Sequence, residues 1–242
     1  MKSSTATILS TSVLIGCIIT LLGFTYADID EKRITSINIS IIDDVNSKFL
    51  TVPRVRTHLD SYGKIIGELK KDVQLEAIHA HLTNIPSVLN VTIFSNFNGE
   101  LVIQLVQRRA QARVHLEEST DYYIDELGGS MPLDPNYSAR VPIIHAKNSE
   151  EVNQAFLFIK KIENDEFWTS LIDQIIVHPL GELEIIPRIG ARVFLGSAPD
   201  PDELRRNLLT FYRAQIKTGN LKSYSRIDLS YKNQVIAKRH VY

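Results

Sequence analysis

The sequence predicts an α+β protein that begins with a single transmembrane helix and continues with two folded domains. Three features support this prediction. The stretch from Ser3 to Ala27 has no charged residue, the next part has strand and helix patterns in the order β-α-α-β-β, and the rest is divided into short strands by Gly and Pro. We expect the last part to be a strand-rich mixed α/β domain with an antiparallel sheet.

The composition is that of an ordinary folded protein. Of the 242 residues, 44% are hydrophobic and 23% are charged, which argues against disorder. The 27 basic and 28 acidic residues nearly cancel and leave a net charge of -1. Nucleic-acid binders usually carry a dominant basic face, so we expect no nucleic-acid partner.

The N-terminal apolar segment has the length of a membrane span. Its centre, Val13 to Phe24, is strongly apolar, and a bilayer core of about 30 Å needs roughly 20 helical residues. Lys2 precedes the segment and acidic residues follow it from Asp28 onward, so the N-terminus should stay in the cytoplasm. We predict a cytoplasmic tail over residues 1–7, a transmembrane helix over residues 8–27 and an exported remainder.

A cleaved signal peptide is the alternative interpretation of this segment. Thr25 and Ala27 are small residues at spacings typical of a cleavage site. The apolar run is longer than the usual signal core of roughly 7 to 15 residues, which favours a retained anchor. Both interpretations export the folded part, which can form no disulfide because the single cysteine is Cys17.

The first folded domain is predicted over residues 34–109. Ile37, Ile39 and Ile41 alternate with polar residues as in a half-buried strand. Helices are predicted from Val52 to about Gly63 and from Asp72 to Pro86, since Pro53 suits a first helical turn and Pro86 stops a helix. A hairpin follows, with strands Val88–Phe94 and Leu101–Gln107 joined through Asn98-Gly99.

The second domain is predicted over residues 110–242. Its strand patterns cover Ala112–Leu116, Tyr122–Asp125, Val141–Ile144, Gln174–His178, Leu183–Pro187, Ala191–Leu195, Ser225–Tyr231 and Val235–Val241. One helix starts with the capping pair Asn148 and Glu151.

The last helix has the clearest signals. We expect Asp200 to cap it, Pro201 to occupy its first position, Glu203 to complete a capping box and Gly219 to end it. Its buried stripe is predicted to be Leu204, Leu208 and Phe211.

No sequence motif indicates catalysis or metal binding. The chain has seven histidines, and the closest two, His79 and His81, point about 200° apart on a helix. Neither a nucleophile elbow nor a phosphate loop occurs. We therefore expect no enzyme activity, no cofactor, no metal and no small-molecule substrate.

Three short segments carry a family resemblance. The segment Gln107 to Arg113, the hairpin Tyr122 to Gly128 and the strand Ile227 to Tyr231 occur in the order and at the spacings of conserved motifs in the FtsQ/DivIB family of bacterial cell-division proteins, which the chain resembles. Ala110 stands where the family usually has Pro, and Ser230 where it usually has Arg.

The resemblance implies a function as well as a fold. Residues 34–109 would form a polypeptide-transport-associated (POTRA) module and residues 110–242 a β domain. The protein would be a non-enzymatic divisome scaffold in septum formation, a single-pass protein of the cell inner membrane located at the division septum. Its partners would be FtsB/DivIC-like and FtsL-like single-pass membrane proteins and other divisome proteins.

Two other functions remain open at this point. One is a POTRA-bearing component of outer-membrane assembly or secretion. The other is a membrane-anchored periplasmic enzyme of an unrecognised class.

The resemblance also implies a partner-binding site at the closing strand. Because the sequence ends just after Val235–Val241, we expect this strand to form an uncovered sheet edge that accepts a strand from a partner. Lys238 and Arg239 would guard this edge against self-association. The expected partner-binding residues are Tyr231, Val235, Ile236, Ala237 and Lys238.

Overall fold

The computed structural model describes residues 11–20, 32–42, 47–117, 119–197 and 199–240. It contains both helices and sheets, which confirms the α+β class. The chain divides into two compact units between Arg108 and Arg109. Each unit has its own hydrophobic core.

The predicted membrane span is described only in part. Residues 11–20 are helical and are called α1 here. Among the described residues, no helix combines the length and the apolar character that crossing a membrane requires. The predicted tail over residues 1–7, the rest of the predicted span at residues 8–10 and 21–27, and the cleavage site considered above lie outside the described residues.

The first unit has the element order β-α-α-β-β. Its elements are β1 (Ser36–Ile42), α2 (Val52–Tyr62), a 3-10 turn (Lys70–Asp72), α3 (Leu75–Thr83), β2 (Val88–Ser95) and β3 (Glu100–Gln107). The strands lie in the order β1-β3-β2, with β1 parallel and β2 antiparallel to the central β3. Val55 and Leu59 of α2 pack with Ile78 and Leu82 of α3 in the core against this sheet.

Local signals fix most element boundaries in this unit. The Thr51 hydroxyl caps α2 by accepting the Arg54 N–H, and Gly99 turns the β2-β3 hairpin at φ 80°. A Cβ at Gly99 would collide with the Arg33 carbonyl oxygen, so this position requires glycine. The helix predicted from Asp72 instead begins at Leu75, because residues 70–72 form the 3-10 turn.

In its described residues, the second unit contains one nine-stranded sheet and three helices. Its strands are β4 (Ala110–Leu116), β5 (Tyr122–Asp125), β6 (Ser130–Pro132), β7 (Ile143–Ala146), β8 (Ile172–Val177), β9 (Glu182–Pro187), β10 (Arg192–Ser197), β11 (Tyr224–Asp228) and β12 (Ile236–Arg239). Its helices are α4 (Ser149–Ile162), α5 (Glu166–Leu171) and α6 (Pro201–Thr218), and 3-10 turns cover Pro179–Gly181 and Leu221–Ser223. The spatial order is β12-β11-β10-β9-β8-β7-β4-β5-β6.

The sheet is mixed, which corrects the expected antiparallel sheet. β4 is parallel to β7, β7 to β8 and β10 to β11, whereas the other neighbours are antiparallel. Two of these parallel pairs are connected through helices: α4 and α5 lie between β7 and β8, and α6 lies between β10 and β11. A helical crossover returns the chain to the same end of the sheet, so the next strand runs parallel.

One face of this sheet packs on the three helices in a single core. Trp168 of α5 is fully buried there, with its ring edge-on to Phe158 and Phe167. Asn148 caps α4 by accepting the Glu151 N–H at 3.0 Å, as predicted.

The structure of α6 confirms most of its predicted signals. Asp200 caps it, Pro201 occupies its first position and Gly219 ends it in the left-handed conformation. Its buried residues are Leu204, Leu208 and Tyr212, whereas the predicted Phe211 is only partly buried. The predicted capping box is wrong, because the Glu203 carboxylate accepts the distant Asn233 N–H at 3.4 Å.

Candidate functional site

β12 lies at one end of the nine-stranded sheet. Of the strands that the structure describes, only β11 pairs with it. The two strands are antiparallel, and Ile236 lies opposite Asp228, Ala237 opposite Ile227 and Lys238 opposite Arg226. The strand spans Ile236–Arg239, shorter than the predicted Val235–Val241, and Val241 lies outside the described residues.

Two hydrogen bonds show which backbone groups of β12 face β11. The His240 N–H donates to the Ser223 carbonyl at 3.0 Å, and the Lys238 carbonyl accepts the Ser225 hydroxyl at 3.2 Å. Backbone N–H and C=O groups alternate in direction along an antiparallel strand. Ile236 and Lys238 therefore bond toward β11, while Ala237 and Arg239 direct their backbone groups to the open edge.

The side chains of the same segment divide between the two faces of the sheet. Val235 and Ala237 pack against the core of the second unit. Ile236, which is 50% exposed, and the exposed Lys238 lie on the opposite face by strand alternation. The segment thus offers an apolar residue, a cation and an open edge next to one another.

Tyr231 lies in the turn before β12 and not in a strand, which corrects the prediction of Ser225–Tyr231. Asp228 ends β11 because its carboxylate accepts both the N–H and the hydroxyl of Ser230, at 2.9 and 2.6 Å. The Tyr231 carbonyl then accepts the Gln234 N–H at 3.2 Å. The Tyr231 side chain is 53% exposed.

The strand register connects Ile236 to a row of side chains that crosses seven strands. The row comprises His115, His145, Ile176, Glu184, Phe194, Asp228 and Ile236, each opposite the next. These residues come from segments far apart in the sequence. The alternation of polar and apolar residues in each strand could have indicated their shared face, but the strand order was needed to align them.

Arg226 is the residue near the edge that sequence reasoning missed. Its guanidinium lies over the Phe194 ring, 4.7 Å from the centroid, and its Nε is 3.5 Å from the buried Glu184 carboxylate. The same carboxylate accepts a hydrogen bond from His178 Nε2 at 2.9 Å. Because Arg226 lies directly opposite Lys238, two cations share this end of the face.

A second charged cluster lies at the far end of the row. Asp121 accepts hydrogen bonds from Arg113 Nη2 at 2.6 Å and from His115 Nδ1 at 2.8 Å. The hydrogen bond from His115, together with the bond and charge of Arg113, holds the pKa of Asp121 below its ordinary value, against the opposing effect of burial. This arrangement is an ion-paired surface cluster.

The five predicted site residues contribute backbone groups, apolar surface and one ammonium group. Across the described ranges, no set of three or more His, Cys, Asp or Glu residues is arranged to hold a metal ion.

A comparison with models of protein families identifies the second unit. The family model described as FtsQ/DivIB, C-terminal related, matches residues 111–238, which is more than half of the chain. The matched region begins in β4 and ends in β12. No curated protein matches the sequence.

Proposed function

The chain belongs to the family described as FtsQ/DivIB, C-terminal related, and from this membership we propose that it is a non-enzymatic scaffold in septum formation. The family relationship indicates a role in cell division. A scaffold needs surfaces that bind partners and no reactive groups. The segment around β12 supports the proposal because it combines an open strand edge with exposed apolar and cationic side chains.

The proposed partner at this edge is an FtsB/DivIC-like protein that adds one strand beside β12. The outward backbone groups of Ala237 and Arg239 are the observation that carries this proposal. An added strand gains affinity from main-chain hydrogen bonds and specificity from alternate side chains. An FtsL-like protein and other divisome proteins would join the same assembly.

Charge adds a requirement for the partner segment. Arg226 and Lys238 lie opposite each other on one face, and like charges in directly opposed positions destabilise a strand pair. Glu184 offsets part of this repulsion. We therefore expect the partner to place an acidic residue near Arg226 and Lys238.

The proposed membrane topology rests on the N-terminal segment. Residues 8–27 would anchor the chain in the inner membrane, with the N-terminus cytoplasmic and both folded units outside. The first unit would be the POTRA-like module over residues 34–109. Mass spectrometry of the mature protein tests the anchor. Recovery of a protein that begins at Met1 supports it, and a soluble product that begins at Asp28 contradicts it.

A pair of proline substitutions tests the docking edge. Ala237→Pro removes a donor that faces the open edge, where proline is tolerated. Loss of one hydrogen bond of about 1 kcal/mol should weaken capture of the FtsB/DivIC-like protein by about fivefold or more. Ala237→Ser, which keeps the N–H group, should bind as the wild type does, in a pull-down or by calorimetry with the full-length protein.

Ile236→Pro provides the complementary variant. Its N–H group faces β11, so this substitution should lower the free energy of unfolding instead of removing an edge donor. Circular dichroism checks folding in all three variants. If folded Ala237→Pro captures the partner as well as Ala237→Ser does, the edge of β12 is not the docking site.

A further inference from the structure

A small cavity lies in the second unit, away from β12. It has a volume of about 160 Å³ and lies where α4, α5, β8 and the segment before β7 meet. Ile159, Ile162, Trp168, Ile172 and Ile175 form its apolar wall. A cavity of about 150 Å³ lined by apolar side chains holds one benzene molecule, so this cavity has room for a group of that size.

The wall of the cavity contains an unsatisfied donor. Trp168 is completely buried, and its indole N–H has no acceptor within the described ranges. Leaving a buried donor without an acceptor is energetically unfavourable.

Two arginines and one carboxylate stand at the rim of the cavity. Arg140 and Arg188 both line it and are exposed, and no acidic side chain of the described residues forms an ion pair with either. Glu163 also lines the cavity, but its carboxylate is paired with Lys160 at 2.6 Å. The rim therefore carries an excess of positive charge beside an apolar interior.

We propose that this cavity binds an apolar carboxylate, with its hydrocarbon group in the cavity and its carboxylate at Arg140 and Arg188. Arginine recognises carboxylates well because its planar guanidinium can donate two parallel hydrogen bonds. An aromatic ring matches the volume. The same chemistry is present in a free aryl acid and in the C-terminal residue of a peptide.

The single tryptophan provides the measurement. The chain contains one Trp, and it forms part of the cavity wall, so its emission, excited where tyrosine does not absorb, reports on occupancy. Phenylacetate added to the full-length protein should change this emission saturably. Phenylacetamide, its uncharged analogue, should bind at least about tenfold more weakly. Equal ionic strength in all samples is required because the rim is exposed.

Substitutions at the rim test the role of the arginines. Arg140→Gln and Arg188→Gln should each weaken phenylacetate binding by about tenfold, since charge-assisted hydrogen bonds are the strong ones. Arg213→Gln, an exposed position on α6 outside the cavity, should leave binding unchanged. Ala110→Leu should reduce binding of both the acid and the amide by filling the cavity.

Two further results decide the proposal. If the ligand is a peptide C-terminus, a short peptide ending in Phe should bind better with a free C-terminal carboxylate than when it is amidated. A response to phenylacetate but to neither form of the peptide indicates that the ligand is a small molecule. The absence of a saturable emission change, equal binding of acid and amide, or an equal loss in Arg213→Gln would each overturn the proposal. Thermal unfolding of every variant excludes loss of folding as the cause.

Discussion

At the scale of single residues, short polar side chains decide where the chain turns. Asp228 is the clearest case, because its bonds to Ser230 end β11 before Tyr231. The sequence suggested a strand through Tyr231, since Ile227 and Leu229 keep the alternation of a strand. An Asp side chain can accept a hydrogen bond from the backbone N–H two residues ahead and so compete with strand pairing. Alternation alone does not show whether the turn or the longer strand will form.

Asp121 allows a test of how a single ionised side chain contributes to the stability of the fold. Its lowered pKa means that the folded protein binds the proton less tightly than the unfolded chain does. The carboxylate then stabilises the fold at pH values above its ordinary pKa of 3.8, and this contribution is lost as the pH falls through the lower, folded value. Asp121→Asn should lower the free energy of unfolding at pH 7 by about 1 kcal/mol.

Urea unfolding at two pH values checks this prediction. The difference between wild type and Asp121→Asn should shrink at about pH 3, below the ordinary Asp pKa. Asp173→Asn, at an exposed position on β8, serves as the control and should have little effect at either pH. If Asp121→Asn changes the free energy of unfolding equally at pH 3 and pH 7, the ionised carboxylate of Asp121 does not stabilise the fold.

At the scale of elements, local signals predicted helices better than they predicted the sheet. The ends of α6 follow from Asp200, Pro201 and Gly219, which act within one helical turn. β6 was missed because three residues carry too little alternation to recognise. The parallel pairing of some strands depends on the crossovers through α4 and α6. The sequence pattern of a strand does not show which other strand will lie beside it.

The strand that carries the candidate site could be predicted from the sequence, but the directions of its backbone groups could not. The sequence pattern predicted a strand around Ile236, and the structure places β12 at the end of the sheet. The direction of each backbone group depends on the register with β11, which shifts at an irregularity between Tyr224 and Arg226. Such irregularities leave no clear signal in the sequence, so Ala237 and Ile236 could not be distinguished beforehand.

At the scale of the whole molecule, the chain consists of two units with separate cores. The separation falls between Arg108 and Arg109, directly after β3 and before β4. Buried apolar residues of β1 to β3 and of α2 and α3 form one core, and buried apolar residues of the nine-stranded sheet and its helices form the other. Each core is complete within its own unit, which is the expected property of an independently folding domain.

Limited proteolysis with trypsin tests this independence. We expect cleavage to accumulate after Arg108 or Arg109, which lie outside the flanking strands. A purified fragment over residues 32–108 should unfold cooperatively in urea, as should a fragment over residues 109–242. A gradual, non-cooperative transition in the first fragment would show that its core depends on the rest of the chain.

The two ends of the large sheet differ in a way that limits assembly. At the end opposite β12, the described sheet stops at β6, which has three residues and finishes with Pro132. A strand this short, one residue of which has no N–H group, is a poor template for pairing. If β12 accepts a partner strand as proposed, the sheet has one acceptor end, which favours a stoichiometry of one added strand per chain. Because a filament built by strand addition needs two complementary ends on every subunit, this asymmetry also disfavours polymerisation of the protein through its own sheet.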